Sequence, residues 1–142
     1  MKVIELEFKG YRREVNKSGL EDKAGIYCVY AGTYNRDKKV VKPQCLLYIG
    51  QSSNIRERIG GDTHEHLIDW KKALKPGQTL MYTRAFVSNA EDRDRAEAAL
   101  IYHCQPPINE ECTSGFHYPD TKMIILGEHS CIDSSFIVYN ED

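Results

Sequence analysis

Residues 25–31, GIYCVYA, form an uninterrupted apolar run of β-forming residues. A strand with no polar side is covered on both faces, so it belongs at the centre of a sheet with material packed above and below it. A second run of the same character, CLLYIG at residues 45–50, follows a polar interval. The two are expected to pair as a hairpin at the heart of the fold.

Periodicity supplies the remaining elements. KVIELEF, residues 2–8, alternates apolar and charged positions, as a strand with one wet face does. YRREVNKSGLEDKA, residues 11–24, is polar and reads as a loop or irregular arm. GTYNRDKKVVKPQ, residues 32–44, carries Gly, Asn, Asp and Pro and reads as a long connection. SSNIRERI reads as a short helix capped by Ser52 or Ser53 and ended by Gly60 and Gly61. THEHLIDWKKAL places Leu67, Trp70 and Leu74 on one helical face and stops at Lys75-Pro76-Gly77. TLMYTRAFV is dense in β-formers and is expected to be a third core strand. SNAEDRDRAEAALIYHC is the strongest helix, with Ser88 and Glu91 at capping-box spacing and Pro106-Pro107 barring its continuation. KMIIL and SSFIVY are two further strands. The order β–β–β–α–α–β–α–β–β predicts an α/β fold: a small central antiparallel or mixed sheet flanked by helices, not a doubly wound parallel one.

The chain has 142 residues, enough for one domain, and its 41% hydrophobic content can form a real core. The net charge is −2, so binding of a polyanion would depend on a local patch. The five cysteines are odd in number and lack metal-ligand spacing, which suggests reduced thiols in a cytoplasmic protein. No window approaches the roughly 20 apolar residues of a membrane span, and the N-terminus lacks a signal-peptide pattern.

A few residues stand out against this background. Glu97 lies three, four and seven residues before Leu100, Ile101 and Cys104, so it continues the apolar stripe of the long helix. A carboxylate on such a face needs a partner, a metal or water. Arg58 sits beside the inward-facing Ile55 and Ile59, with Arg56 on the other flank. Tyr27 and Tyr48 lie on adjacent buried strands. Taken singly, each has an ordinary structural explanation.

Together these residues form a pattern: GIY at 25–27, YIG at 48–50, N-I-x-x-R-I at 54–59, E-A-A-L-I at 97–101 and P-x-I-N at 106–109. In this order the sequence resembles the GIY-YIG nuclease superfamily over residues 25–109. The resemblance implies a three-stranded antiparallel sheet with helices around it and metal-dependent hydrolysis of DNA phosphodiester bonds. It implies catalytic roles for Tyr27, often assigned as general base, and for Tyr48 and Arg58, with Arg56 out of register. Glu97 would hold the divalent metal, Mg²⁺ or Mn²⁺, and Asn109 and Gly50 would support the site. A tyrosine is a weak base near neutrality, since its reference pKa is about 10. A nearby cation would have to favour the phenolate, or His64 or His66 would accept the proton.

The domain reading is one unit over 1–142: a catalytic core at 25–109, an N-terminal strand and arm at 1–24, and a C-terminal strand extension at 110–142. The interval between the two tripeptides is longer than the family's usual spacing. Its excess carries Arg36, Lys38, Lys39 and Lys42, the most basic stretch of the chain, expected to grip DNA phosphates beside the site. No separate targeting module is apparent, so a homodimer is one way to enlarge the DNA surface. The rival readings are a non-catalytic nucleic-acid or protein-binding module of the same fold, and a phosphodiesterase acting on RNA or nucleotides.

Overall fold

The computed structural model describes all residues from Met1 to Asp142. Six strands form one mixed sheet: β1 (Lys2–Arg13), β2 (Gly25–Asn35), β3 (Val40–Ser52), β4 (Thr79–Phe86), β5 (Thr121–Gly127) and β6 (Ser135–Val138). Their spatial order is β3-β2-β4-β1-β5-β6. Every neighbouring pair is antiparallel except β1 with β5. The helices are α1 (Ile55–Ile59), α2 (Leu67–Lys72) and α3 (Ala90–Cys104), with a 3-10 helix at Glu14–Gly19.

The doubly apolar β2 lies where its composition demands, between β3 and β4 with both faces covered. On one face Ile26, Cys28 and Tyr30 pack with Ile4, Leu6 and Phe8 of β1 and with Ala96, Ala99 and Leu100 of α3. On the other, Tyr27, Val29 and Ala31 pack with Leu20, Ile55, Ile59, Leu67 and Trp70. The outer strands β1, β5 and β6 are covered by α3 on one side only and leave Val3, Leu126 and Ile137 exposed on the other. No helix is long and apolar enough to cross a membrane. All five cysteines are unpaired.

Several expectations are corrected. The three antiparallel strands β3-β2-β4 are present, but they are half of a larger sheet, because β1 continues it and pairs in parallel with β5. Residues 11–13 are not an arm: past an irregularity in the ladder, Arg12 and Arg13 pair with Tyr82 and Met81, and a 3-10 helix follows. Nor is 32–44 a long connection. Thr33, Tyr34 and Asn35 pair with Lys42, Val41 and Val40, so only residues 36–39 turn. Asn35 Oδ1 closes that turn by accepting from the amides of Asp37 and Lys38. The caps of α1 and α3 are also shifted by a residue or more. Asn54 caps α1 through the Glu57 amide, since Ser52 still belongs to β3, and Asn89, not Ser88, caps α3 through the Asp92 amide. Leu74 lies beyond the end of α2, yet packs under the same apolar cluster as Leu67 and Trp70.

Candidate functional site

The two glycines of the paired tripeptides allow close approach. Tyr27 lies opposite Gly50 across the β2–β3 ladder, and its ring covers that glycine so closely that a Cβ there would overlap the phenol. A Cβ on Gly25 would overlap the Ala85 carbonyl of β4. Gly50→Ala is therefore expected to push Tyr27 off its position and to destabilise the fold by about 1–3 kcal/mol. Denaturant melts measure this; an unchanged midpoint would mean the ring moves freely.

Tyr27 is fully buried, and its hydroxyl is 2.8 Å from His64 Nε2. The His66 amide donates to His64 Nδ1 at 3.0 Å. That assigns the proton of the neutral ring to Nε2, so His64 donates to Tyr27 Oη. The expectation that His64 accepts a proton is thereby corrected: its one free lone pair is already bonded. Burial, helped by the Arg58 charge, lowers the His64 pKa to about 4 and keeps the ring neutral. His64, at 5% exposure, is a structural group behind Tyr27 and not a solvated helix start.

β3 is an edge strand, and this lets two helices on opposite sheet faces reach one place. Arg58 comes from α1 on the Tyr27 face, and Glu97 from α3 on the other. They meet beside β3 in a cleft of about 210 Å³, lined also by Tyr48, Glu65, His66, Asn109 and Glu111. The Tyr27 and Tyr48 rings stand edge to face, with centroids 6.3 Å apart. Asn109 secures the strand, accepting from the Ile49 amide at 2.9 Å and donating to the Ile49 carbonyl at 2.8 Å. Tyr48, Arg58, Glu97 and Asn109 thus line one opening, while Tyr27, packed against Tyr48, and Gly50 are buried beside it. Arg36, Lys38, Lys39 and Lys42 are not beside it: the strands carry them to the far end of the hairpin, roughly 25 Å from Tyr27.

The cleft is acidic. Four carboxylates, Glu65, Glu97, Glu110 and Glu111, line it against one arginine. Burial, followed by repulsion from Asp94 and Glu111, raises the Glu97 pKa to about 7 against the pull of the Gln51 amide. Burial, followed by the field of Glu97 and Glu65, raises Tyr48 to about 12. Tyr27 is raised too, chiefly by burial. No three His, Cys, Asp or Glu side chains are gathered closely enough to cage a metal by themselves. The donors are nevertheless hard oxygens, suited to Mg²⁺ held by one carboxylate and several waters.

Three positions that the sequence did not mark also build the site. Arg93, only 8% exposed, donates to Gln51 Oε1 at 2.7 Å and to the Val87 and Ser88 carbonyls. This ties the first turn of α3, and hence Glu97, to the strand end after YIG. Lys17 pairs with Glu14 and, at 2.8 Å, with Asp62, anchoring the loop that carries His64. Glu65 holds Arg58. Such contacts leave no periodic signal, although Glu65 does sit in the unusual triplet H-E-H. Lys17→Met is expected to cost about 1 kcal/mol, since Asp62 is solvated, and to speed amide exchange at residues 64–66. Unaltered exchange there would remove Lys17 from the site's support.

No protein-family model matches the chain, no curated protein does, and no solved structure does. The functional reading therefore stands on the residues and their arrangement.

Proposed function

We propose that the protein is a divalent-metal-dependent nuclease that hydrolyses DNA phosphodiester bonds in the cleft beside β3. The observation that carries this reading is the convergence of the Tyr48 phenol, an arginine fork and a desolvated carboxylate on one solvent-open cleft, with the buried Tyr27 ring packed edge to face against Tyr48. A fold does not require that set for its stability.

Glu97 would hold the cation, with the neighbouring carboxylates adding to its attraction. When bound, a hard dication supplies charge neutralisation at the phosphate and at the departing oxygen. Arg58 grips two phosphate oxygens with its planar fork and stabilises them as charge grows. Tyr27 Oη receives the His64 Nε2–H and faces the Arg58 guanidinium, so both neighbours favour charge on that oxygen. To act as base, Tyr27 first releases its own proton to solvent, and the phenolate then takes one from the attacking water; the two donors favour that anion and burial opposes it. Tyr48 walls the cleft as a neutral phenol. Asn109 and Gly50 keep β3 in register under it.

The test is a nicking assay on supercoiled plasmid with Mg²⁺ or Mn²⁺. Cutting by the wild type and its loss in Arg58→Ala and Glu97→Ala support the reading. Duplex binding without cutting in either metal would replace it with a binding module. Cleavage confined to RNA or small diesters would change the substrate.

The hairpin tip is the expected second DNA contact, about seven base pairs from the cut along a duplex that follows the hairpin. Neutralising Arg36, Lys38, Lys39 and Lys42 together is expected to flatten the dependence of affinity on salt. A slope equal to wild type would exclude the tip from the interface.

A further inference from the structure

We propose that Glu65 is a built-in surrogate for the scissile phosphate, seated on the Arg58 fork until a phosphodiester displaces it. This rests on the nuclease reading for the identity of the incoming group, but not for the contact itself.

Arg58 Nη1 donates to Glu65 Oε2 at 2.7 Å and Nη2 to Oε1 at 2.6 Å. Such a parallel pair is the arrangement by which a guanidinium recognises either a carboxylate or a phosphate. On this Nη1/Nη2 edge both occupants use two oxygens in the plane of the fork, so there they exclude one another. Glu65 also lines the cleft that a diester would enter. The arginine assigned to substrate is therefore already engaged.

The surroundings restrict how it is released. His64 is buried and bonded through both ring nitrogens, and Asp62 is tied to Lys17. The backbone on the N-terminal side of Glu65 is thus anchored. Its side chain is 59% exposed, against 34% for Arg58. Exchange then needs only a rotation of the Glu65 side chain about its own bonds, with Arg58 left in place. A pair this exposed is weak, so a phosphate bound at other points can displace it. Arg58 holds the Glu65 pKa down at about 2, so acidity in the neutral range does not open the site. Substrate does.

The experiment measures affinity for a short DNA duplex in Ca²⁺ for wild type, Glu65→Gln, Arg58→Lys and the double variant, with Glu57→Gln as a control. Glu57 is an exposed carboxylate beside Arg58 on α1 whose side chain makes no ion pair with it. Glu65→Gln is expected to bind about three- to five-fold more tightly than wild type. Glu57→Gln should gain less, and the gain should vanish when Arg58 is already lysine. In parallel, inorganic phosphate is titrated against the Arg58 Nε–H resonance, which should move at lower phosphate in Glu65→Gln than in wild type.

Weaker binding in Glu65→Gln would overturn the proposal, because it would make Glu65 a support that holds Arg58 ready. An equal gain in the Arg58→Lys background would also overturn it, as bulk charge removal. So would an Arg58 resonance that answers phosphate identically in both proteins. Should the gain run through Arg58 while no variant nicks plasmid, the surrogate role stands and the nuclease reading falls.

Discussion

Replacing Glu97 by glutamine is expected to abolish Mg²⁺-dependent cutting and, in the metal-free protein, to raise stability at pH 8. The two effects share one cause. The Glu97 carboxyl is buried among carboxylates, which lifts its pKa from 4.5 to about 7. The unfolded chain thus releases this proton at lower pH than the folded one. The resulting contribution to stability is complete below pH 4.5, fades as pH rises toward 7, and above that leaves folding with a cost of about 3 kcal/mol. Glutamine keeps the shape without the charge and escapes most of that cost. Denaturant melts in EDTA check this: the advantage of Glu97→Gln should be small at pH 4.5 and large at pH 8. Added Mg²⁺ should raise the melting temperature of the wild type and leave that of the variant unchanged.

His64 makes the same experiment sharper. Its folded pKa, about 4, lies below the ordinary 6.5, so its contribution is present above pH 6.5 and is lost as pH falls toward 4. The Glu97 and His64 slopes oppose each other between pH 4.5 and 6.5. Wild-type stability should therefore change little across that window, whereas Glu97→Gln should lose stability steadily on acidification. Parallel profiles for the two proteins would mean that Glu97 is solvated and that its carboxyl is not held above the ordinary range.

Tyr27→Phe is expected to lower kcat by about 10²–10⁴ while duplex affinity in Ca²⁺ changes little. The hydroxyl is the one polar atom of a buried ring, and it is bonded to His64 Nε2. Removing it also leaves that N–H without a partner, which costs about 1–3 kcal/mol of stability. His64→Ala separates the two roles. With the donor gone, nothing on that side favours charge on Tyr27 Oη, and the alkaline shift of the pH–rate profile should be upward. A profile that moves in the opposite direction would show that His64 receives the proton, contrary to its tautomer. Full activity in Tyr27→Phe would remove the phenol from the chemistry altogether.

The elements themselves were legible because each rests on local composition. An apolar run with no polar side is a strand covered twice, and GIYCVYA became the inner strand β2. Two prolines after His103-Cys104-Gln105 ended α3 where the ring of Pro106 first forbade it. The tripeptides also had a local meaning: glycine at 50 is required by the ring that lies on it.

Partnership was not legible in this way. Residues 32–44 have the composition of a loop, yet most of them pair, because the partner strand offers its amides and carbonyls in register. That pairing moved the basic tip to the far end of the hairpin. The fork between Arg58 and Glu65, the tether of Lys17 to Asp62 and the clamp of Arg93 on Gln51 join residues 7, 45 and 42 positions apart. The sequence by itself determined which segments are buried and which side chains have chemistry to offer. Only the tertiary structure decided that Glu97 and Arg58, on opposite faces of the sheet, meet around its open edge, because that meeting depends on where the sheet stops and not on any spacing along the chain.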